Sequence, residues 1–446
     1  RDASTTRAHA SRPARGPARR LGRVARPIVE EFRARGLIHD STDPAAIDAR
    51  AATGPIGVYV GFDPTADSLH VGHLLGQITL RRMQLLGHRP IVLAGGATGM
   101  VGDPSGRSEE RNLLDAETLA HNVASIGRQL ERILDFGSGP TGATLVNNAD
   151  WTRTVDVLTF LRDVGKHVTV NQMLAKESVR SRLAGEQGLS FTEFSYMLLQ
   201  ANDFRHLCEH HGCEMQMGGS DQWGNITTGI DLIGKRLGRS AHGLTWPLVT
   251  RSDGSKFGKT AQGAVWLDAR RTSPYQFRQY WVQIPDDDVE ATLARFSLRP
   301  LEEVAELVAE QRRSPQHRIA QRALARELTT LVHGEEAADA AEQAADVLFG
   351  AHPTSASPAA LHLVASEVPR TEVGAAALGD AIGLLVATGV ASSNSDARRL
   401  LAQRAVRANG ETVDEQGGLA RAGLLHGRWL LLRKGKTTYH LVEVLR

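Results

Sequence analysis

Two short runs of this sequence hold side chains suited to handling phosphate. His70-Val71-Gly72-His73 sets two histidines three residues apart, on one face of a helix if the run opens one. Backbone N–H groups at a helix N-terminus favour anions, and imidazoles there add further donors. Gly72 would let a flat ring or a ribose approach the backbone. The same histidines could ligate a metal, but no third ligand follows at metalloprotease spacing. Lys256-Phe257-Gly258-Lys259-Thr260 puts two ammonium groups three residues apart in a Gly- and Ser-rich segment. That suits a mobile clamp on a polyphosphate. Taken alone, each run also has a plainer reading: ordinary helix-start histidines, and a solvated lysine loop.

Glycine density marks a third kind of site. Gly95-Gly96-Ala97-Thr98-Gly99 and Gly102-Asp103-Pro104-Ser105-Gly106 follow an apolar run, with Arg107 and Arg111 beside them as phosphate donors. Gly218-Gly219-Ser220-Asp221-Gln222-Trp223-Gly224 repeats the style. Loops after parallel strands carry ligands at the carboxyl edge of a sheet. Neither the dinucleotide G-x-G-x-x-G nor the P-loop pattern occurs in these runs.

The elements that must position these residues are readable from periodicity. A helical pattern with Ile28, Val29, Phe32 and Leu37 as its apolar set opens the ordered chain. Gly57 to Val60 reads as a buried strand, 69–86 as a helix stopped by Gly87, and Pro90 to Ala94 as the next strand. That β-α-β unit predicts a parallel, Rossmann-like α/β catalytic domain over 27–250. Residues 251–285 are expected to be clamp loop and connection, 286–349 an α-helical domain, 350–376 a linker with one short helix, and 377–446 a small α+β domain.

Composition narrows the class. The 446 residues are 41% hydrophobic and 23% charged, which is ordinary for a globular chain. The longest stretch without Asp, Glu, Lys or Arg, 347–366, holds two prolines, three serines and two histidines, a poor membrane span. Two cysteines, Cys208 and Cys213, exclude a disulfide scaffold, and no metal set is expected. The net charge of +2 is unevenly spread. Residues 1–26 carry eight Arg against one Asp, and 391–446 carry ten basic against five acidic groups. Basic ends suggest a polyanion partner, nucleic acid first. The leader has too few apolar side chains to order itself, so it is expected to be disordered; its Arg-rich, acid-poor composition is also that of an organelle transit peptide.

In combination the motifs are specific. H-x-G-H after the first strand and K-F-G-K-T near the end of the same α/β domain resemble a class I aminoacyl-tRNA synthetase. Tyr59 to His70, Gly95 to Gly106, Phe191 to Asp203, Gly218 to Asn225 and Lys256 to Thr260 resemble the bacterial tyrosyl-tRNA synthetases. The likeness spans about residues 27–446. The tryptophanyl enzymes fit less well, because Asp203 and Tyr59 match the pair that holds a phenolic hydroxyl. Ser393 to Leu401 and Val406 to Gly410 resemble a ribosomal-protein-type RNA-binding domain, with Arg398, Arg399, Arg404 and Arg407 as phosphate donors.

The resemblance implies a tyrosine–tRNA ligase that forms tyrosyl-adenylate and pyrophosphate from L-tyrosine and ATP. It then moves tyrosine to the 3′-terminal ribose of tRNA(Tyr). It implies Asp103, Tyr196 and Gln200 around the substrate ammonium, Gln222 at its carboxylate, and Tyr59 with Asp203 at its hydroxyl. Gly61, Asp63, Gly72, His73, Gly219 and Asp221 would line the nucleotide site. Thr65 and His70 would meet the terminal phosphate, and Lys256, Lys259, Arg107 and Arg111 would close over the pyrophosphate. Mg²⁺ is expected with ATP, a homodimer as the assembly, and the cytoplasm as the location. Four positions depart from the common pattern: Val60 for Cys, Gly76 for Thr or Pro, Arg107 for Lys, and Asn202 for Tyr.

Overall fold

The computed structural model describes residues 27–105, 114–185, 188–250, 252, 257–260, 263–414 and 418–445. The leader 1–26, Arg107, Arg111 and Lys256 lie outside the described residues.

Five strands build the first sheet: β1 (Gly57–Phe62), β2 (Arg89–Ala94), β3 (Thr144–Asn147), β4 (Cys213–Gly219) and β5 (His242–Trp246). Their order is β3-β2-β1-β4-β5 and every pairing is parallel. β1 and β2 read as nearly continuous apolar runs, as strands buried on both faces do. The chain leaves β1 toward β2 on one side and returns as β4 on the other. This switch point opens a crevice beyond the carboxyl ends of β1 and β4, where α/β sheets bind ligands.

The helix Val71–Leu85 begins one residue after His70, its N-cap. The His70 ring nitrogen accepts from the Gly72 N–H at 3.0 Å, and His73 Nδ1 accepts from the His70 N–H at 3.3 Å. The H-x-G-H run is thus itself a capping box. A Cβ at Gly72 would lie 2.8 Å from the His70 ring, so the turn needs glycine.

Four helices, Asp286–Phe296, Leu301–Arg313, Ile319–His333 and Glu335–Leu348, form the helical unit read from the sequence. The segment expected to be clamp and connection contributes more than a link. It contains a two-residue pair of strands, β6 (Lys259–Thr260) and β7 (Gly263–Ala264), and then the helix Pro274–Val282. Phe277, Tyr280 and Trp281 of that helix are buried in the core that the catalytic and helical units share. Arg82, near the end of the His73 helix, is buried and donates to the carbonyls of Arg295 at 3.1 Å and Ser297 at 2.8 Å. Its guanidinium closes the C-terminus of the helix Asp286–Phe296, where carbonyls lack partners.

The second sheet joins β8 (Arg370–Gly374), β9 (Val406–Ala408), β10 (Glu411–Thr412), β11 (Trp429–Lys434) and β12 (Thr438–Leu445), in the order β10-β9-β11-β12-β8. Here the linker reading of 350–376 needs correction. The short helix is present, Pro358–Glu367, but β8 pairs with β12 as an edge strand. Leu361 and Val364 of the helix pack with Trp429, Leu431 and Leu441 of the sheet and with Ala344 and Val347 of the helical unit. The alternating exposure of β8 is that of an edge strand, and its polar opening, Arg370-Thr371-Glu372, hid it.

Candidate active site

One cavity of about 300 Å³ lies at the switch point. Its lining includes Tyr59, Gly61, Asp63, Thr65, His70, Gly72, His73, Asp103, Tyr196, Gln200, Asp203, Gly219, Asp221 and Gln222. Every residue that the sequence assigned to the amino acid therefore converges there, from four separate segments. Tyr196, Gln200 and Asp203 belong to the helix Phe191–His210, at spacings of four and three that put them on one face.

The deep end is wired around Asp203, which is 2% exposed. Asn148 Nδ2 donates to one of its carboxylate oxygens at 2.9 Å and Trp151 Nε1 to the other at 2.8 Å. Asn148 also accepts from the Ala97 N–H at 2.7 Å and donates to Thr98 Oγ1 at 3.0 Å. Burial pushes the Asp203 carboxyl up to about 7, against the pull of these two donors. Tyr59 is buried beside it; burial, and after it the Asp203 charge, raise its hydroxyl well above the usual range.

A second carboxylate, Asp103, sits toward the mouth. It accepts from the Ser105 N–H at 2.9 Å and from Gln222 Nε2 at 2.7 Å. Gln222 Oε1 in turn accepts from Gln200 at 3.1 Å, and Gln200 Oε1 from Asn225 at 2.9 Å. Between the ends lies Asp63, which takes the Tyr196 hydroxyl at 2.9 Å and the Thr98 hydroxyl at 2.8 Å. A Cβ at Gly95 would fall 2.1 Å from Asp63 Oδ1, so the glycine run is what lets this carboxylate reach its partners. Burial raises the hydroxyl of Tyr196 and the carboxyl of Asp221; the Asp103 charge adds to the second.

The mouth holds the two histidines. The His70 and His73 rings stack at 3.9 Å, and Trp266 meets His70 edge-on at 5.9 Å. Of the clamp run, Phe257 and Gly258 are described in full. Phe257 packs on Tyr280, Trp281 and Phe296, with ring centroids 5.2–5.9 Å apart. The Gly258 N–H donates to the Tyr280 hydroxyl at 2.8 Å. Lys259 lies in β6.

Sequence reasoning missed Asn148, Trp151, Thr98, Asn225 and Gln216. A signal existed for Asn148: it follows β3 directly, at the carboxyl edge where ligand-bearing loops lie. Arg398, Arg399, Arg404 and Arg407 are remote from the cavity, exposed around the helix Asn394–Ala402 and β9. Arg399 is held by Asp396 at 2.5 Å.

Residues 51–350 match the family described as tRNA synthetases class I (W and Y). A parallel-sheet crevice opened by H-x-G-H is what that class requires, and this chain belongs to it. Residues 361–442 match the tyrosine–tRNA ligase SYY-like C-terminal domain. The chain is 51% identical to a tyrosine–tRNA ligase of Opitutus terrae, over 94% of this chain and 100% of that protein. It is 49% identical to one of Roseiflexus castenholzii, over 94% and 99%. A C-terminally truncated mitochondrial tyrosyl-tRNA synthetase of Aspergillus nidulans superposes with a TM-score of 0.66 at 34% identity, covering 72% of this chain and 94% of that one. The chain is a member of the tyrosine–tRNA ligase family, an ATP-dependent aminoacyl-tRNA synthetase.

Proposed function

We propose the following division of labour for the ligase reaction. L-Tyrosine lies along the cavity with its hydroxyl against Asp203 and Tyr59. Its ammonium is held by Asp103, Tyr196 and Gln200, and its carboxylate by Gln222. The observation that carries this reading is a pair of buried carboxylates lining one cavity with separate partners, Asp203 with Asn148 and Trp151, Asp103 with Ser105 and Gln222. A neutral donor suits the first end and a cation the second. ATP enters at the mouth over Gly61, Asp63, Gly72 and Gly219. Asp221 takes its ribose hydroxyls, and Thr65, His70 and His73 its phosphates. Lys256, Lys259, Arg107 and Arg111 close over the leaving pyrophosphate.

The tyrosine carboxylate is already a nucleophile, so the first step needs no general base. One of its oxygens attacks the α-phosphorus, the bond to the β-phosphate oxygen breaks, and pyrophosphate carries away the electron pair. Donors aimed at the charge that builds on the phosphoryl oxygens supply most of the acceleration. Mg²⁺ would enter with ATP, bound chiefly by the phosphate oxygens, and would neutralise part of their charge. The 3′-terminal ribose hydroxyl of tRNA(Tyr) then attacks the adenylate carbonyl, and AMP leaves.

Arg398, Arg399, Arg404 and Arg407 serve tRNA binding. An apolar surface from 155 to 191 supports a homodimer: Val157, Leu158, Val170, Leu183 and Phe191 are all exposed there. No described helix is long and apolar enough to cross a membrane; we place the enzyme in the cytoplasm, with its tRNA. Tyrosine-dependent ATP–pyrophosphate exchange tests the first half-reaction, and its absence in folded protein would overturn the reading. Removing 351–446 tests the second: exchange is retained while tRNA charging falls at least tenfold. That cut follows the sheet, since one at Leu378 would leave β8 without β12.

A further inference from the structure

Among the described residues, two of the buried side-chain polar atoms without a hydrogen-bond partner belong to residues lining the cavity. One is Ser105 Oγ, next to Asp103. The other is Oε1 of Gln216, a residue that no motif singled out. Gln216 is 2% exposed and stands in β4 between Met215 and Met217. A partnerless buried amide oxygen is rare in a folded chain, and it costs stability until a donor reaches it.

Its position says which donor. Gln216 is in register with Tyr59 of the neighbouring parallel strand, so both side chains leave the same face of the sheet. Two residues further along each strand come Gly61 and Gly218, also lining the cavity. Gly61 has no side chain, so the Tyr59 ring and hydroxyl lean over it, 3.5 and 3.6 Å from where a Cβ would stand, and Gln222 crosses Gly218 in the same way. The Tyr59–Gln216 row forms the floor below them. The hydroxyl end of the amino acid arrives there. Asp203 offers one acceptor, but Asn148 and Trp151 already occupy both of its oxygens with one bond each.

We propose that Gln216 is a specificity-determining residue for the amino-acid side chain, its carboxamide oxygen accepting a hydrogen bond from the hydroxyl end of bound tyrosine. The inference rests on the placement of tyrosine given above. Phenylalanine brings no donor to that end and leaves the oxygen as it is in the empty pocket. Gln216 thus adds to discrimination without adding to the affinity for phenylalanine.

The experiment is ATP–pyrophosphate exchange by the full chain with tyrosine and with phenylalanine, for wild type, Gln216→Met and Gln216→Asn. Methionine keeps the length and removes the acceptor; asparagine keeps the amide and withdraws it by one methylene. The expected result is a KM for tyrosine raised about five- to tenfold in Gln216→Met. The KM for phenylalanine and for ATP stays unchanged, so the preference for tyrosine narrows by the same factor. Gln216→Asn falls between, and it carries the test alone if the methionine variant does not fold. Equal losses for both amino acids, or no loss for either, overturn the proposal and leave Gln216 a packing residue. The wild-type arm separates the two readings: if it fails to exchange with tyrosine or does not prefer it, the placement of tyrosine itself is wrong.

Discussion

The two ends of the cleft are built on different terms. At the deep end, Asp203 is fixed by Asn148 and Trp151, and Asn148 is fixed by the loop after β2. Those contacts come from strand ends and a twenty-residue helix, and they exist before any substrate arrives. At the mouth, His70 and His73 form the capping box that starts the helix Val71–Leu85. On the reading proposed above, the deep end would be a recognition device, with the same contacts in ground and transition states, and the mouth a catalytic one, with contacts that strengthen as the phosphoryl charge grows. Uniform binding lowers KM; differential binding raises kcat.

Kinetics should split along that line, and the largest effect belongs to the mouth. Lys256→Ala or Lys259→Ala should slow adenylate formation by about 10²–10³-fold while tyrosine affinity holds, as pre-steady-state measurement would show. A comparable loss of tyrosine binding would erase the distinction. Next comes Asp203→Ala, which removes a buried acceptor and strands two donors. It should cost about 10²-fold in kcat/KM for tyrosine, mostly in KM, with the preference over phenylalanine collapsing. Tyrosyl enzymes are the general example of such selection, rejecting phenylalanine about 10⁵-fold without editing, a value that belongs to the class and is not a prediction for this chain. If Asp203→Ala kept the preference, the deep end would not be the reader.

Tyr59→Phe is gentler. It deletes one neutral hydrogen bond, so discrimination should relax by about two- to tenfold. The smallest effect is on stability. The Asp203 carboxyl is raised by burial to about 7 in the empty pocket. A raised carboxyl favours the folded state while protonated. Its contribution is complete below the unfolded value and is lost as pH rises through about 7. The melting temperature of the substrate-free enzyme should thus fall by a few degrees between pH 5 and 8, at about 2–4 °C per kcal/mol. Asp203→Asn should flatten that slope, and bound tyrosine should mask it. An identical slope in the variant would assign it to other groups.

Much of this was legible in the chain, for a physical reason. Parallel strands buried on both faces must be apolar throughout, so β1 and β2 announce themselves, as does a helix stopped at Gly87. Most residues that line the cavity sit in runs where several constraints coincide, which makes them conspicuous. Asn148, Trp151 and Gln216 were not legible. Asn148 and Trp151 reach Asp203 from more than fifty residues away, Gln216 is set by its strand register, and apart from the place of Asn148 after β3 nothing in their local sequence reports this. β8 escaped for the opposite reason. An edge strand keeps half its side chains in water, and its pattern, Arg370 to Gly374, looks like any polar connection until β12 lies beside it.

The bridge made by Asn148 also limits how this enzyme can change over evolutionary time. One amide holds the Asp203 carboxylate, the threonine that steadies Asp63, and the backbone at Ala97. Replacing Asp203 alone orphans Asn148 and Trp151; replacing Asn148 alone releases Asp203 and Thr98 together. Substitutions at such shared partners do not add. A descendant that accepts another amino acid must therefore move as a set, through intermediates worse than either end. The pocket's fidelity to tyrosine is protected by the poverty of single-step routes away from it.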